Sequence, residues 1–133
     1  MIFEWSSRYI TGFPKIDEQH QLLVEVVNEV FEMLSAQNSD GIETTLSRLD
    51  SYVADHLVLE EAYMAETGYP NAPAHRAAHE QFTKHLAAIR ANAASPTVVA
   101  LRAAVLLNDW LKDHLLTEDQ CLFDYVRGCP LKV

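Results

Sequence analysis

From residue 17 to residue 114 the apolar side chains recur every three or four positions, the interval that lines one face of an α-helix. The first run carries Leu23, Val26, Val27, Val30, Phe31 and Leu34. It should open near Asp17 or Glu18, where a carboxylate suits the positive end of the helix dipole, and close at Asn38-Ser39-Asp40-Gly41. The second run sets Ile42, Leu46, Leu49, Val53, His56, Glu60 and Tyr63 at alternating steps of four and three, a seam of the kind that faces a bundle core. The third opens near Pro73 and continues with His75, His79, Phe82, Leu86, Ile89 and Ala93. Ser95-Pro96 introduces a fourth, with Val99, Ala103, Leu107, Trp110 and His114 on one stripe.

Four amphipathic helices joined by short connections predict an all-α fold, an up-down-up-down four-helix bundle. Residues 1–17 read as an irregular N-terminal arm, since Gly12 and Pro14 oppose regular structure around Trp5, Tyr9 and Phe13. The arm could cover the site end of the bundle through Trp5 or Tyr9, or pack directly on the core. The bundle is expected over 18–119 and a tail over 120–133, with a short turn of helix before Gly128 and Pro130. At 133 residues, positions 1–133 form a single domain.

The seams are not wholly apolar, and that changes the picture. His56 and Glu60 occupy seam positions late in the second helix, and His75 and His79 are the first seam positions of the third. His20 lies near the start of the first helix and His114 near the end of the fourth, so an antiparallel bundle gathers all six groups into one layer. A lone histidine on an apolar stripe is usually a satisfied core residue. Five histidines and a glutamate in one layer are different, because each buried polar group costs a few kcal/mol unless partnered. A neutral imidazole offers only one donor and one acceptor. Metal ions resolve that conflict. His85 lies six residues past His79, about 240° round the helix, and belongs to the surface.

Composition narrows the rest. A net charge of −9 argues against nucleic acid or an anionic membrane as partner. No apolar run approaches the ~20 residues needed to span a bilayer, and the N-terminus lacks a basic start before an apolar run. A soluble, cytoplasmic protein is expected. Cys121 and Cys129 read as incidental thiols, with no partner cluster for a disulfide framework or zinc site.

Five imidazoles exceed the four ligands usual for zinc, and calcium and magnesium prefer oxygen. Two ions of an imidazole-binding metal with bridging carboxylates fit best, iron foremost. The Glu-x-x-His pairs of ferritin-like sites are absent from the sequence. A further carboxylate follows His114. Glu118, at i+4, shares its face on a regular α-helix, whereas Asp119, at i+5, does so only if the helix widens into a π-turn. Spacing by itself favours Glu118.

The chain resembles the hemerythrins, and their single-domain bacterial members in particular. The likeness rests on Ile16-Asp17-Glu18-Gln19-His20, His56-x-x-x-Glu60-Glu61, Gly68-Tyr69-Pro70, His75-x-x-x-His79-Glu80-x-Phe82 and Trp110-Leu111-x-x-His114-x-x-x-x-Asp119. It spans Phe3 to about Tyr125. The family pattern implies Asp119 rather than Glu118. It also implies that His75, His79 and His114 hold one iron and His20 and His56 the other. Glu60, Asp119 and a solvent-derived oxo or hydroxo group would bridge them. On that count one iron has six ligands and the other five, leaving one position for a diatomic ligand, which the resemblance implies is dioxygen. Leu23, Leu57, Trp110, Leu111 and Leu115 neighbour the ligands and are expected to line the pocket, though core packing would also call for them.

The leading expectation is therefore a non-enzymatic protein that binds dioxygen reversibly for storage, transport or delivery. Its partner would be dioxygen, with an O2-consuming enzyme or membrane complex as a conceivable recipient. A sensor of oxygen or redox state is the second reading, and the chain carries no appended methyl-accepting, kinase or cyclic-nucleotide segment. A di-iron peroxidase or nitric oxide reductase is the third, lowered by the shortage of acid/base residues beside the open position. Iron storage is disfavoured by a saturated two-ion site.

Overall fold

A computed structural model describes residues 3–92 and 95–128. Among these the chain is helical with no strand, and its main elements are α1 (Pro14–Ser35), α2 (Ile42–Thr67), α3 (Ala72–Asn92), α4 (Pro96–Asp113) and α5 (Asp119–Arg127). A π-helical turn, His114–Glu118, joins α4 to α5 without a break. The result is the four-helix bundle expected, with an irregular arm ahead of it. Two boundaries move. α1 starts about one turn before Asp17, because Pro14 supplies a first-turn φ at no hydrogen-bonding cost. The last helix runs to Arg127, well beyond a short turn, because Leu122, Phe123 and Val126 bury a full apolar face. Ala93, Cys129 and Pro130 lie outside the described residues.

The connections follow local chemistry. α2 ends at Gly68, whose φ of 64° is left-handed and whose N–H donates back to the Met64 carbonyl. Ser95 caps α4 by accepting from the Val98 N–H at 3.2 Å. The arm contains a 3-10 turn at Ser7–Tyr9 and is fastened at several points. The Phe3 N–H donates to the Asn28 side-chain oxygen at 2.8 Å, and the Asn28 amide donates back to the Phe3 carbonyl. The Asp17 carboxylate accepts from the N–H and hydroxyl of Thr11 and from the Gly12 N–H. Trp5 and Phe3 pack their rings on Tyr9, so two of the arm's aromatics are engaged with a third.

The core is divided. A large apolar cluster runs from Phe3 and Tyr9 through Leu23, Val27, Leu46, Val53, Phe82, Leu107, Leu111 and Leu115. A smaller one gathers Ile16, Met64, Ala72, Leu122, Phe123 and Val126. On α1, α2 and α3 the histidine and carboxylate positions fall between residues of the two clusters, and on the last segment Asp119 does so while His114 lies between Leu111 and Leu115 of the larger one. A polar layer is thus closed off by hydrocarbon on both sides. No helix among the described residues is long and apolar enough to cross a membrane.

Candidate metal centre

His20 comes from α1, His56 and Glu60 from α2, His75 and His79 from α3, and His114 and Asp119 from the two ends of the π-turn. All are buried; His20, Glu60, His114 and Asp119 expose nothing. The i,i+4 spacing on α2 and α3 puts each pair on one helical face. The pair at the chain's end needs the wider turn. The Asp119 N–H bonds to the His114 carbonyl, five residues back, and this i+5 register swings the Asp119 side chain under His114. Glu118 is thereby displaced from the cluster, its Oε2 at 3.7 Å from Nδ1 on the far side of the His114 ring.

The histidines turn Nε2 inward. His20 Nε2 lies 2.6 Å from Asp119 Oδ2, and His114 Nε2 lies 2.8 Å from the same oxygen. His75 Nε2 is 2.9 Å from Glu60 Oε2, His79 Nε2 is 3.6 Å from Glu60 Oε1, and His56 Nε2 also contacts Glu60. His56 and His114 bring their Nε2 atoms to 3.0 Å. Donor atoms of His56, Glu60, His79, His114 and Asp119 all lie within 4.8 Å of one another.

Hydrogen bonding among the groups themselves does not satisfy them. Although Glu60 lies 2.9 Å from His75 Nε2 and 3.6 Å from His79 Nε2, these atoms are not aligned for hydrogen bonds, and both Glu60 oxygens, Asp119 Oδ1 and the two Nε2 atoms are buried without a hydrogen-bond partner. So many orphaned acceptors and lone pairs facing one point are costly as protein alone. Cations at that point would meet every one of them, and imidazole with carboxylate is a donor set that suits iron.

The charges of the metal-free cluster tell the same story. Burial disfavours a charged His56, yet the carboxylates of Glu60 and Asp119 outweigh it and raise the imidazole to about 9. His75 is likewise raised to about 9 against its burial, by Asp119 and Glu60, and His114 is held well above its usual range, chiefly by Asp119. His79 goes the other way, pushed down to about 3 by burial and the charge of His114. Burial also lowers His20, against the pull of Asp119. Burial and the Asp119 charge would raise Glu60, but the surrounding imidazoles bring it down to about 2. Two anionic carboxylates thus demand positive charge in a site that excludes water. Protonated imidazoles supply it when no metal is bound.

Outside the cluster, two groups face the opposite ring nitrogens. Gln19 Oε1 lies 3.0 Å from His56 Nδ1, which fixes the proton there and frees Nε2. Glu118 stands in the corresponding place behind His114. Neither role was legible from spacing. Gln19 sits off the apolar seam, and only its place beside His20 drew notice. Of the expected pocket residues, Leu23, Leu111 and Leu115 are buried, while Leu57 and Trp110 are half-buried. Trp110 stacks on His114, ring centroids 4.4 Å apart.

A family model described as the hemerythrin HHE cation binding domain matches residues 11–126, nearly the whole bundle. The chain belongs to the hemerythrin family. Among its hemerythrin relatives, the bacteriohemerythrin of Stenotrophomonas maltophilia is 27% identical over 93% of this chain and 81% of its own length. That of Clostridium acetobutylicum is 26% identical over 92% of this chain and its own full length. The hemerythrin of Siphonosoma cumanense is 27% identical, covering 88% of each chain. The two bacteriohemerythrins match over a slightly larger share of this chain than the Siphonosoma protein does, at similar identity. The buried His/Glu/Asp cluster matches the hemerythrin di-iron type of site, a fold and centre consistent with reversible dioxygen binding.

Proposed function

We propose that His75, His79 and His114 hold one non-haem iron and His20 and His56 a second, with Glu60 and Asp119 bridging them. The protein binds dioxygen reversibly at the second iron, for storage or delivery. The observation that carries this reading is the convergence of five imidazoles and two carboxylates, left unsatisfied by one another, in a layer sealed by apolar clusters. The grouping has support in the ring spacings. The three shortest separations, His75–His79 at 4.6 Å and His79–His114 and His20–His56 at 4.8 Å, all fall within the two sets.

When bound, iron supplies the redox change and the open coordination position. The protein supplies everything else. Glu60 and Asp119 each present two oxygens that would help hold the ions and offset their charge. Gln19 holds His56 in the tautomer whose Nε2 can ligate. Leu23, Leu111 and Leu115 bring hydrocarbon next to the ligands, and this keeps water and proton donors from a reduced, ligand-bearing centre. That is the design of a binding site rather than a catalytic one. An O2-consuming enzyme or a membrane complex would be the receiving partner.

The test is the visible spectrum of the anaerobically reduced, iron-loaded protein before and after admitting oxygen. Reversible binding gives a ligand-to-iron charge-transfer band that vanishes when oxygen is removed. Direct passage to the fully oxidised spectrum would refute the carrier reading.

A further inference from the structure

Burial protects the cluster but also isolates it. None of its seven residues exposes more than 3% of its surface. A centre that loses its oxygen adduct by autoxidation is left ferric, with its ligands buried and, among them, His79 lining a surface groove between α2 and α3. Two half-buried aromatic rings border this layer, Tyr69 with its centroid 6.4 Å from that of His75 and Trp110 much closer to His114. The Trp110 indole lies flat on the His114 imidazole, centroids 4.4 Å apart and planes 13° apart, and stacks on Phe82 at 3.9 Å and 22°. Trp110 is half-buried, and it also lines an open groove of about 500 Å³ between α3 and α4, with His85, Ile89, Arg102, Val105 and Leu106. Its Nε1 is buried without a hydrogen-bond partner, so the ring is held by stacking and by packing on the apolar core.

We infer that Trp110 is an electron relay: a one-electron donor such as a reduced flavin, meeting the α3–α4 groove, re-reduces the oxidised centre through the indole and the His114 ring. This rests on the di-iron reading. Each transfer oxidises one donor by one electron and converts one ferric ion to ferrous; two transfers restore the oxygen-binding state. No bond in Trp110 forms or breaks and the indole keeps its Nε1 proton, so any proton taken up with the electrons comes from solvent. Van der Waals contact between π-systems couples groove and ligand, whereas an aliphatic side chain in that place would interrupt it.

His85 makes the test direct. It is the single histidine of the six outside the cluster, it is exposed, and it lines the same groove. A ruthenium polypyridyl sensitiser coordinated to His85 of the iron-loaded, oxidised protein injects an electron at the groove on flash photolysis. Loss of ferric absorption then reports its arrival. Trp110→Leu should slow arrival by about tenfold, while Trp110→Phe, which keeps a stacked ring, retains most of the rate. A control places the sensitiser on a V58H/H85Q variant, since Val58 is exposed on the α1–α2 groove. From there Trp110→Leu should change nothing. The relay is overturned if Trp110→Leu leaves the His85 rate within about twofold, or if it slows injection from position 58 equally, which would mean the centre itself had changed. Fewer than two irons in the unsubstituted protein, measured before any flash, would instead overturn the parent reading and the relay with it.

Discussion

Gln19→Met isolates one contact and asks how much it contributes. Methionine keeps the length and most of the volume of glutamine but lacks the amide oxygen that lies 3.0 Å from His56 Nδ1. His56 is 1% exposed, so the Nδ1–H left behind belongs to a buried ring. A buried N–H left unpaired costs ~1–3 kcal/mol. That cost divides between two states. In the metal-free protein His56 is raised to about 9 by its carboxylate neighbours against the effect of burial, so it is doubly protonated at neutral pH and its Nδ1–H is present there too. This share appears as lower stability of the apo fold, about 1 kcal/mol in urea unfolding. The remainder belongs to the metal-bound state, where Gln19 selects the tautomer and orients the ring. Losses at such supporting positions run to roughly 10–100-fold in metal affinity. Competition against a chelator should therefore show Gln19→Met binding iron about tenfold more weakly, with Gln19→Glu, which keeps an acceptor, at least as tight as the unsubstituted protein. If Gln19→Met matches the unsubstituted protein in both unfolding and chelator competition, Gln19 does not support His56.

Three further outcomes follow from the same geometry. Asp119→Asn should lose iron, because it removes a bridging anion from the centre of the cluster, whereas Glu118→Gln should keep two irons per chain; metal analysis after gel filtration distinguishes them, and loss in Glu118→Gln alone would reverse the assignment. Leu111→Asn puts an amide at a site 1% exposed and should speed autoxidation of the oxygenated protein, read as decay of its visible band; an unchanged rate would deny Leu111 a protective role. Metal binding should release protons. His56 and His75, raised to about 9, and His114, also raised, hold protons near neutral pH in the apo protein, and ligation must displace them. Apparent affinity should thus rise with pH up to about 9 and flatten above it, while His79, pushed down to about 3, is already neutral and adds nothing to the slope. Calorimetric titration in buffers of different ionisation enthalpy measures the release, and an affinity independent of pH from 6 to 9 would contradict it.

The bundle was legible in the residue pattern because helical periodicity is a local property. Ile42, Leu46, Leu49, Val53, His56, Glu60 and Tyr63 announce one face of α2 whatever surrounds them, and the interrupting polar residues mark one layer once antiparallel packing is assumed. Asp119 was different. By α-helical spacing Glu118 shares the His114 face, and only the family pattern pointed to its neighbour. The deciding feature is a backbone register, the i+5 bond from Asp119 to His114. A π-turn is unfavourable in isolation and forms where surrounding contacts compensate. Here the register places Asp119 beside the imidazoles while Leu122, Phe123 and Val126 pack into the smaller core.

The sequence by itself therefore determined which residue types could meet a metal and on which helices they ride, since side-chain chemistry and helical period require no knowledge of the rest of the chain. The tertiary structure decided the groups beyond the cluster. Gln19 reaches His56 from another helix, Glu118 stands behind His114 instead of beside Asp119, and Trp110 bridges His114 to a surface groove. The Trp110–His114 stack is an i,i+4 contact that the stripe already paired. Gln19 and the groove at Trp110 are set by how helices dock and Glu118 by how one helix widens, and no periodicity along a single segment encodes them.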